Sequence, residues 1–438
     1  MHTLKHIITA AMLLCTATAF AYDFEVNGIY YNIISDSEVE VTNGENAYAG
    51  EIIIPETVTY SEYSTSPLKV TAIGGAAFLG CSSLTSIEIP NSVTTIKGNA
   101  FDFCISLTSI DIPNSVTTIE KYAFYRCRSL AQIEIPNSVS TIGNGAFSQC
   151  SSLTSIEIPN SVTAIGYSAF LGCGSLTSIE IPNSVTAIGH SAFRGCGSLT
   201  SIKISNNITS LPSDIFRGCN GLTSIDIPNS VTNIDDYAFG DCTSLTSITI
   251  PNSVTIIDVF AFYGCTSLTS IKIPNSVTYI HDGAFYGCTN LTSIELPNSI
   301  TKLSPVTFAN CSGLISIRLP SNIGAIGDGA CYNCSNLQHI YCLREVPAAC
   351  LMEDRGCFQG VPVETCVLHV PAGCVEAYQA ADGWKDFVNI VGDAAGIENV
   401  TTADGPAEYF DLQGRKVTAP SNGIFIKKQG NSTSKIKL

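Results

Sequence analysis

Beyond its first residues this sequence has no run of the ~20 apolar residues that a membrane-spanning helix needs. It is also poor in charge: only 13% of its 438 residues are Asp, Glu, Lys or Arg, and the basic ones are outnumbered 21 to 37. A formal net charge of -16 excludes the sequence-independent grip on phosphate that a nucleic-acid binder builds from clustered Lys and Arg. Tryptophan occurs once, at Trp384, and histidine six times. Past the N-terminal segment the histidines are His190, His281, His339 and His369, scattered along the chain with no metal-ligand pair at helical spacing and no nucleophile motif beside them. No catalytic, metal-binding or cofactor-binding residue is read, and no cofactor is expected. What the chain does have is apolar material, 45% of its residues, which marks an ordered, core-rich protein.

That material is arranged with a fixed period. Cysteines fall 23 residues apart from Cys81 through Cys104, Cys127 and Cys150 to Cys334, and the string SLTSIEIPNSVTAIG occurs twice unchanged, at 152–166 and 175–189. The unit reads C-x-x-L-T-S-I-x-I-P-N-S-V-T-x-I-x-x-x-A-F-x-G. Repetition at this period is the mark of a stacked architecture, in which each unit buries its apolar edges against a copy of itself. In the copy that begins at Cys81, the spacing of Leu84, Ile87 and Ile89 and their β-branched character predict a short strand with these residues inward. Thr85, Ser86 and Glu88 then face water. Pro90 cannot donate to a ladder and ends the strand, and Asn91 is expected to cap the bend through its side chain. Val93, Ile96 and Phe101 return to the core along the opposite wall. With strands ~4.8 Å apart, twelve turns stack to roughly 58 Å, so the expectation is an elongated β-rich solenoid in which each turn contacts only its neighbours, and a monomer.

The ends differ from the repeat. Residues 1–21 have a weakly basic start, an apolar stretch from Ile7 to Cys15 and Ala19-Phe20-Ala21 before Tyr22, the pattern of a secretion signal. Residues 22–50 contain an Asn27-Gly28 hairpin signal and a second alternating stretch from Ser37 to Thr42, and read as an N-terminal β cap over an otherwise exposed sheet edge. The repeats occupy 51–340, with an insertion around Tyr60 to Pro67. From 341 to 396 the rhythm fades, although Phe358-Gln-Gly and Leu368-His-Val-Pro still echo it, and Tyr378, Trp384, Phe387 and Ile390 form a C-terminal cap. Residues 397–438 are a separate strand-rich tail carrying a net charge of +2.

The L-x-x-I-x-I-P, S-V-x-x-I and A-F-x-G runs resemble the leucine-rich repeats of the BspA-like family, a 23-residue class of bacterial surface proteins, over about Glu51 to Ile340. The resemblance implies an extracellular adhesion or recognition scaffold, in several members one that binds host matrix proteins. The tail strings D-L-Q-G-R-x-V (Asp411 to Val417) and G-I-F-I (Gly423 to Ile426) resemble the C-terminal sorting tails of proteins exported through the type IX system, which implies delivery to the outer cell surface.

Three sets of residues bear on function. The periodic cysteines form a single file, read as small buried hydrophobes, with disulfides between neighbouring turns or metal binding as the alternatives. Six more, Cys331, Cys342, Cys350, Cys357, Cys366 and Cys374, break the period, and one to three disulfides are expected among them. The outward strand position carries five carboxylates in succession, Glu88, Asp111, Glu134, Glu157 and Glu180, which repel one another at strand spacing and either stay solvated or attract Ca²⁺ or a basic partner. Finally, copies diverge around Ala-Phe, at Tyr122, Tyr167 and Tyr237 before it and at Tyr125, Arg194, Arg217, Tyr263 and Tyr286 after it. Drift alone gives such variation, but Tyr and Arg are also the side chains that anchor protein interfaces. A protein ligand is the expectation, and a polysaccharide remains open.

Overall fold

The computed structural model describes residues 22–62 and 66–393 together with four strands of the tail; the export signal read at 1–21 lies outside the described residues. The chain divides into two compact units, 1–393 and 394–438.

In the first unit each turn of the chain is tied to the next along three walls. The strand wall is the one the L-T-S-I-x-I pattern predicts. Gly50–Ile53 pairs in parallel with Leu84–Glu88, single bridges join Glu88 to Asp111 and Glu134 to Glu157, and Ser178–Glu180 pairs with Ser201–Lys203. The second wall, which the sequence pattern marks only as apolar packing, is a ladder: two-residue strands such as Thr95–Ile96, Thr118–Ile119 and Thr141–Ile142 pair in parallel with Ile over Ile. On the third wall the Phe78 N–H donates to Ala100 O at 2.8 Å and the Phe101 N–H to Ala123 O at 2.7 Å. Backbone groups in a wall so close to the core need partners, and the copy one turn away supplies them.

The consensus letters acquire physical reasons here. Phe78 to Phe308 form a file of buried rings whose neighbouring centroids lie 5.0–6.0 Å apart. Each such pair contributes ~0.5–1.5 kcal/mol beyond its area burial. The cysteine thiols donate back to the carbonyl of the Phe one turn earlier, as in Cys127 Sγ to Phe101 O at 3.1 Å and Cys196 Sγ to Phe170 O at 3.2 Å. The Gly of A-F-x-G sits at positive φ, between 65° and 73° at Gly80, Gly172, Gly195, Gly218, Gly264 and Gly287, where an L side chain is strained. In some copies the Ser of P-N-S ties its turn to the preceding one, Ser115 Oγ donating to Val93 O and Ser161 Oγ to Val139 O, both at 2.6 Å. The bend after the strand is closed by backbone, the Val93 N–H reaching Pro90 O at 3.1 Å, and not by an Asn91 cap; asparagine works between turns instead, Asn183 Oδ1 accepting the Asn206 N–H at 2.9 Å.

At the N-terminal end the hairpin Phe24–Val26/Ile29–Ser35 turns through Asn27 and Gly28, both at positive φ. Its continuation Glu38–Thr42 pairs in parallel with Leu68–Ile73, which leads into the Thr95–Ile96 ladder. At the other end the strand wall continues past Ile340, where the periodic reading stopped: His339–Cys342, Val367–His369 and Asn389–Val391 pair in succession. The letters lose register because the step lengthens from 23 residues (Arg318 to Tyr341) to 28 (Tyr341 to His369), while the strand pairing persists. Trp384 and Tyr378 are fully buried in this end. The Trp384 indole donates to Ala348 O at 2.8 Å, the Tyr378 hydroxyl donates to Arg344 O at 2.8 Å, and Phe358 packs 5.0 Å from the Trp384 ring.

Every described cysteine is a free thiol, which corrects the expectation of disulfides among the six aperiodic ones. Cys331 takes the slot of a Phe in the ring file, Cys342 ends a strand beneath Tyr378, and Cys357 caps Ile326 O at 3.3 Å while its thiol meets that of Cys350. In the second unit, Glu408–Phe410 pairs antiparallel with Lys416–Val417 and Ile424–Gln429, and the latter with Ser432–Lys437, a four-stranded sheet.

Candidate functional site

The third wall owes its shape to two left-handed positions per turn, such as Asn99 and Phe103 or Tyr122 and Arg126. They swing the residues around Ala-Phe outward, and the divergent side chains fall into two groups. In the first, Tyr122 and Tyr125 meet edge to face at 5.7 Å, Phe103 lies 6.1 Å from Tyr125, and the Arg126 guanidinium sits 4.6 Å from the Phe103 centroid and 4.9 Å from that of Tyr125. Asp102 is buried beside them, with one carboxylate oxygen accepting from the Asn99 amide at 2.9 Å, and burial pushes its carboxyl upward from the usual range.

In the second group the Arg217 guanidinium stacks on Tyr237 at 4.3 Å and is held by Asp214 at 3.2 Å and Asp241 at 3.3 Å. Tyr237 stacks on Phe260 at 5.0 Å, Phe260 meets Tyr263 edge-on at 5.7 Å, and Tyr263 stacks on Tyr286 of the next turn at 5.4 Å. Burial raises the Tyr237 phenol against the pull of Arg217, so it stays a neutral hydrogen-bonding group. Tyr167 stands apart, stacked on His190 at 5.5 Å, and Arg194 reaches Asp214 at 3.8 Å.

Of the sequence candidates, Tyr122 with Tyr125, and Arg194, Arg217, Tyr237, Tyr263 and Tyr286, are thus gathered, while Tyr167 is not. Phe103, Arg126, Phe260, Asp214 and Asp241 were missed. A signal existed, since each occupies a left-handed position where other copies carry Gly or Asn. Glycine also shapes the surface: a Cβ on Gly145 would lie 2.4 Å from the Tyr122 ring, and one on Gly283 2.1 Å from that of Phe260. Each ring therefore lies against a glycine of the next turn, and the opposite side of Phe260 is covered by Tyr237.

On the strand wall Glu88 is bridged to Asp111 and Glu134 to Glu157. The last carboxylate of the row is neutralised, Glu180 being bound to Lys203 Nζ at 2.5 Å. The histidines are not all scattered: His190 and His281 lie apart, but His339 and His369 meet. Among the described residues no group of three His, Cys, Asp or Glu is placed to hold a metal ion, and no helix is long and apolar enough to cross a membrane.

A parallel solenoid with a 23-residue step and an inward L-x-x-I-x-I strand defines a leucine-rich repeat protein, a class of generally non-enzymatic scaffolds for protein interaction or adhesion. The family described as the BspA type leucine rich repeat region matches in six copies, over residues 58–173, 117–246, 163–280 and 232–350, and the chain belongs to that family. No curated protein matches. Among solved structures, the chain is similar to a leucine rich cell surface protein from Faecalibacterium prausnitzii, at 31% identity over 72% of this chain and 93% of that one with a TM-score of 0.51. It is similar to a leucine-rich repeat protein from Bacteroides ovatus at 28% identity, over 73% and 94% of the two chains, with a TM-score of 0.41. The pneumococcal vaccine antigen PcpA shares the fold at 20% identity, over 84% and 98%, with a TM-score of 0.52.

Proposed function

We propose that the chain is an exported cell-surface recognition or adhesion scaffold that holds protein partners, host matrix proteins among them, on its third wall. The observation that carries this reading is the gathering of Arg217, Tyr237, Phe260, Tyr263 and Tyr286 into one stacked group. Rigid aromatic side chains lose little entropy on binding, and aromatic and Arg side chains dominate interface energetics. Export rests on the signal-like residues 1–21 and on the sorting-like tail at 397–438. Two assays test the proposal. The full chain is expected to bind immobilised matrix protein, and Tyr263→Ala with Tyr286→Ala to weaken that binding at least tenfold; equal binding by the double variant overturns the site. Deleting residues 397–438 is expected to remove the protein from the cell surface in fractionation, and undiminished surface display overturns the tail as an address.

A second reading, an envelope component that contacts polysaccharide, is favoured by the Tyr122 ring, which lies against Gly145 of the next turn and is 41% exposed. An exposed aromatic ring of this kind suits the apolar face of a sugar ring. Retention on polysaccharide that disappears with Tyr122→Ala, without change in matrix binding, would select it.

A further inference from the structure

Two histidines 30 positions apart meet on the strand wall near its C-terminal end. His339 opens the strand His339–Cys342 and His369 closes Val367–His369; the strands are parallel, with Tyr341 opposite His369. Because side chains alternate along a strand, His339 and Tyr341 share a face, and His369 stands beside both. His339 Nδ1 lies 3.1 Å from His369 Nε2, and His369 Nδ1 lies 2.8 Å from Asp393 Oδ1. The Tyr341 ring covers His369 at 4.3 Å and 14°, leaving the His369 side chain 13% exposed.

A carboxylate only accepts, so His369 carries a proton on Nδ1 toward Asp393; in the neutral ring its Nε2 lone pair then faces His339 Nδ1. A carboxylate behind an imidazole, fixing its tautomer and raising its basicity, is the arrangement that orients metal-binding histidines. With each nitrogen ~2.1 Å from an ion, a separation of 3.1 Å sets an angle at the ion of about 95°, within the range of octahedral or tetrahedral coordination. The ion takes the place of the shared proton, with His339 carrying its own proton on Nε2. The cation on the adjoining strand, Arg318, is drawn to Glu295 at 3.4 Å.

We propose that His339 and His369 form a binding site for a divalent transition-metal ion of the zinc, nickel or copper class, with Asp393 as the positioning residue. The site supplies two protein ligands and leaves the remaining positions to water or to a donor from outside. It is independent of the third wall, and its failure would leave the adhesion reading untouched.

The full chain, purified without a polyhistidine tag, is titrated with Zn²⁺ by calorimetry at pH 7.5, and with Co²⁺ by absorbance. One zinc site is expected, weakened at least tenfold in His339→Gln and in His369→Gln. Asp393→Asn keeps the stoichiometry and weakens binding about 10–100-fold. The cobalt spectrum of the wild type is expected to show ligand-field bands without the intense thiolate charge-transfer band, a readout that does not depend on a variant folding. Identical zinc titrations of wild type and His339→Gln, or a thiolate band, would overturn the proposal.

Discussion

The glycine at the end of A-F-x-G isolates one residue-scale effect. At Gly195 φ is +72° and a Cβ would sit 3.7 Å from Gly172, an ordinary contact. Space is available, so Gly195→Ala tests backbone conformation alone and is expected to destabilise by about 1 kcal/mol, read from the denaturation midpoint. The cysteine file gives a second test. Burial pushes the thiols of Cys196, Cys242 and Cys288 up to about 12, against about 8.5 in an unfolded chain. The native state thus keeps protons that the unfolded state releases. The stability these thiols contribute is complete below pH ~8.5 and is lost as pH rises toward ~12, each at about 1.4 kcal/mol per pH unit. Alkaline denaturation curves are expected to fall steeply in that window, and a thiol reagent at pH 8 is expected to modify the periodic cysteines only after unfolding. Rapid labelling of the native chain would contradict the burial.

Among the elements, the strand wall is the one whose outward face can be tuned. Glu157 is bridged to Glu134, and one turn further Glu180 is already satisfied by Lys203. Glu157→Lys places a cation between two carboxylates and is expected to stabilise by ~0.2–1 kcal/mol, since opposite charges across neighbouring strands attract where like charges repel. The gain is expected to shrink in 1 M salt, where the screening length is ~3 Å; a gain that persists there would point to propensity instead of charge. The strand Leu84–Glu88 was legible because alternation and β-branching state it locally. The two-residue strands such as Thr95–Ile96 were not, because nothing in T-x-I announces a ladder until the copy one turn away lies beside it.

For the whole molecule, stability of a stack is a sum of neighbour terms, so a lesion at one end should act there first. Trp384→Ala removes a fully buried indole and its bond to Ala348 O, a change that typically destabilises by ~3–5 kcal/mol. In hydrogen exchange, protection is expected to fall in Val367–His369 and Asn389–Val391 while the turns from Phe101 to Phe170 stay protected. Uniform loss along the chain would show that the repeats unfold as one unit.

The period, the inward residues, the acidic row and the family were all determined by the sequence alone. Each of these is a property of one unit repeated, and a 23-residue unit written many times over states its packing without reference to distant residues. Tertiary structure decided what depends on registering one turn against another. It made the cysteine thiol a donor to the carbonyl of an earlier Phe, carried the strand wall past Ile340, and gathered Arg217 with Tyr237, Phe260, Tyr263 and Tyr286. It also brought His369 to His339, because the longer step between Tyr341 and His369 breaks the rhythm of the letters while parallel pairing sets the two rings side by side.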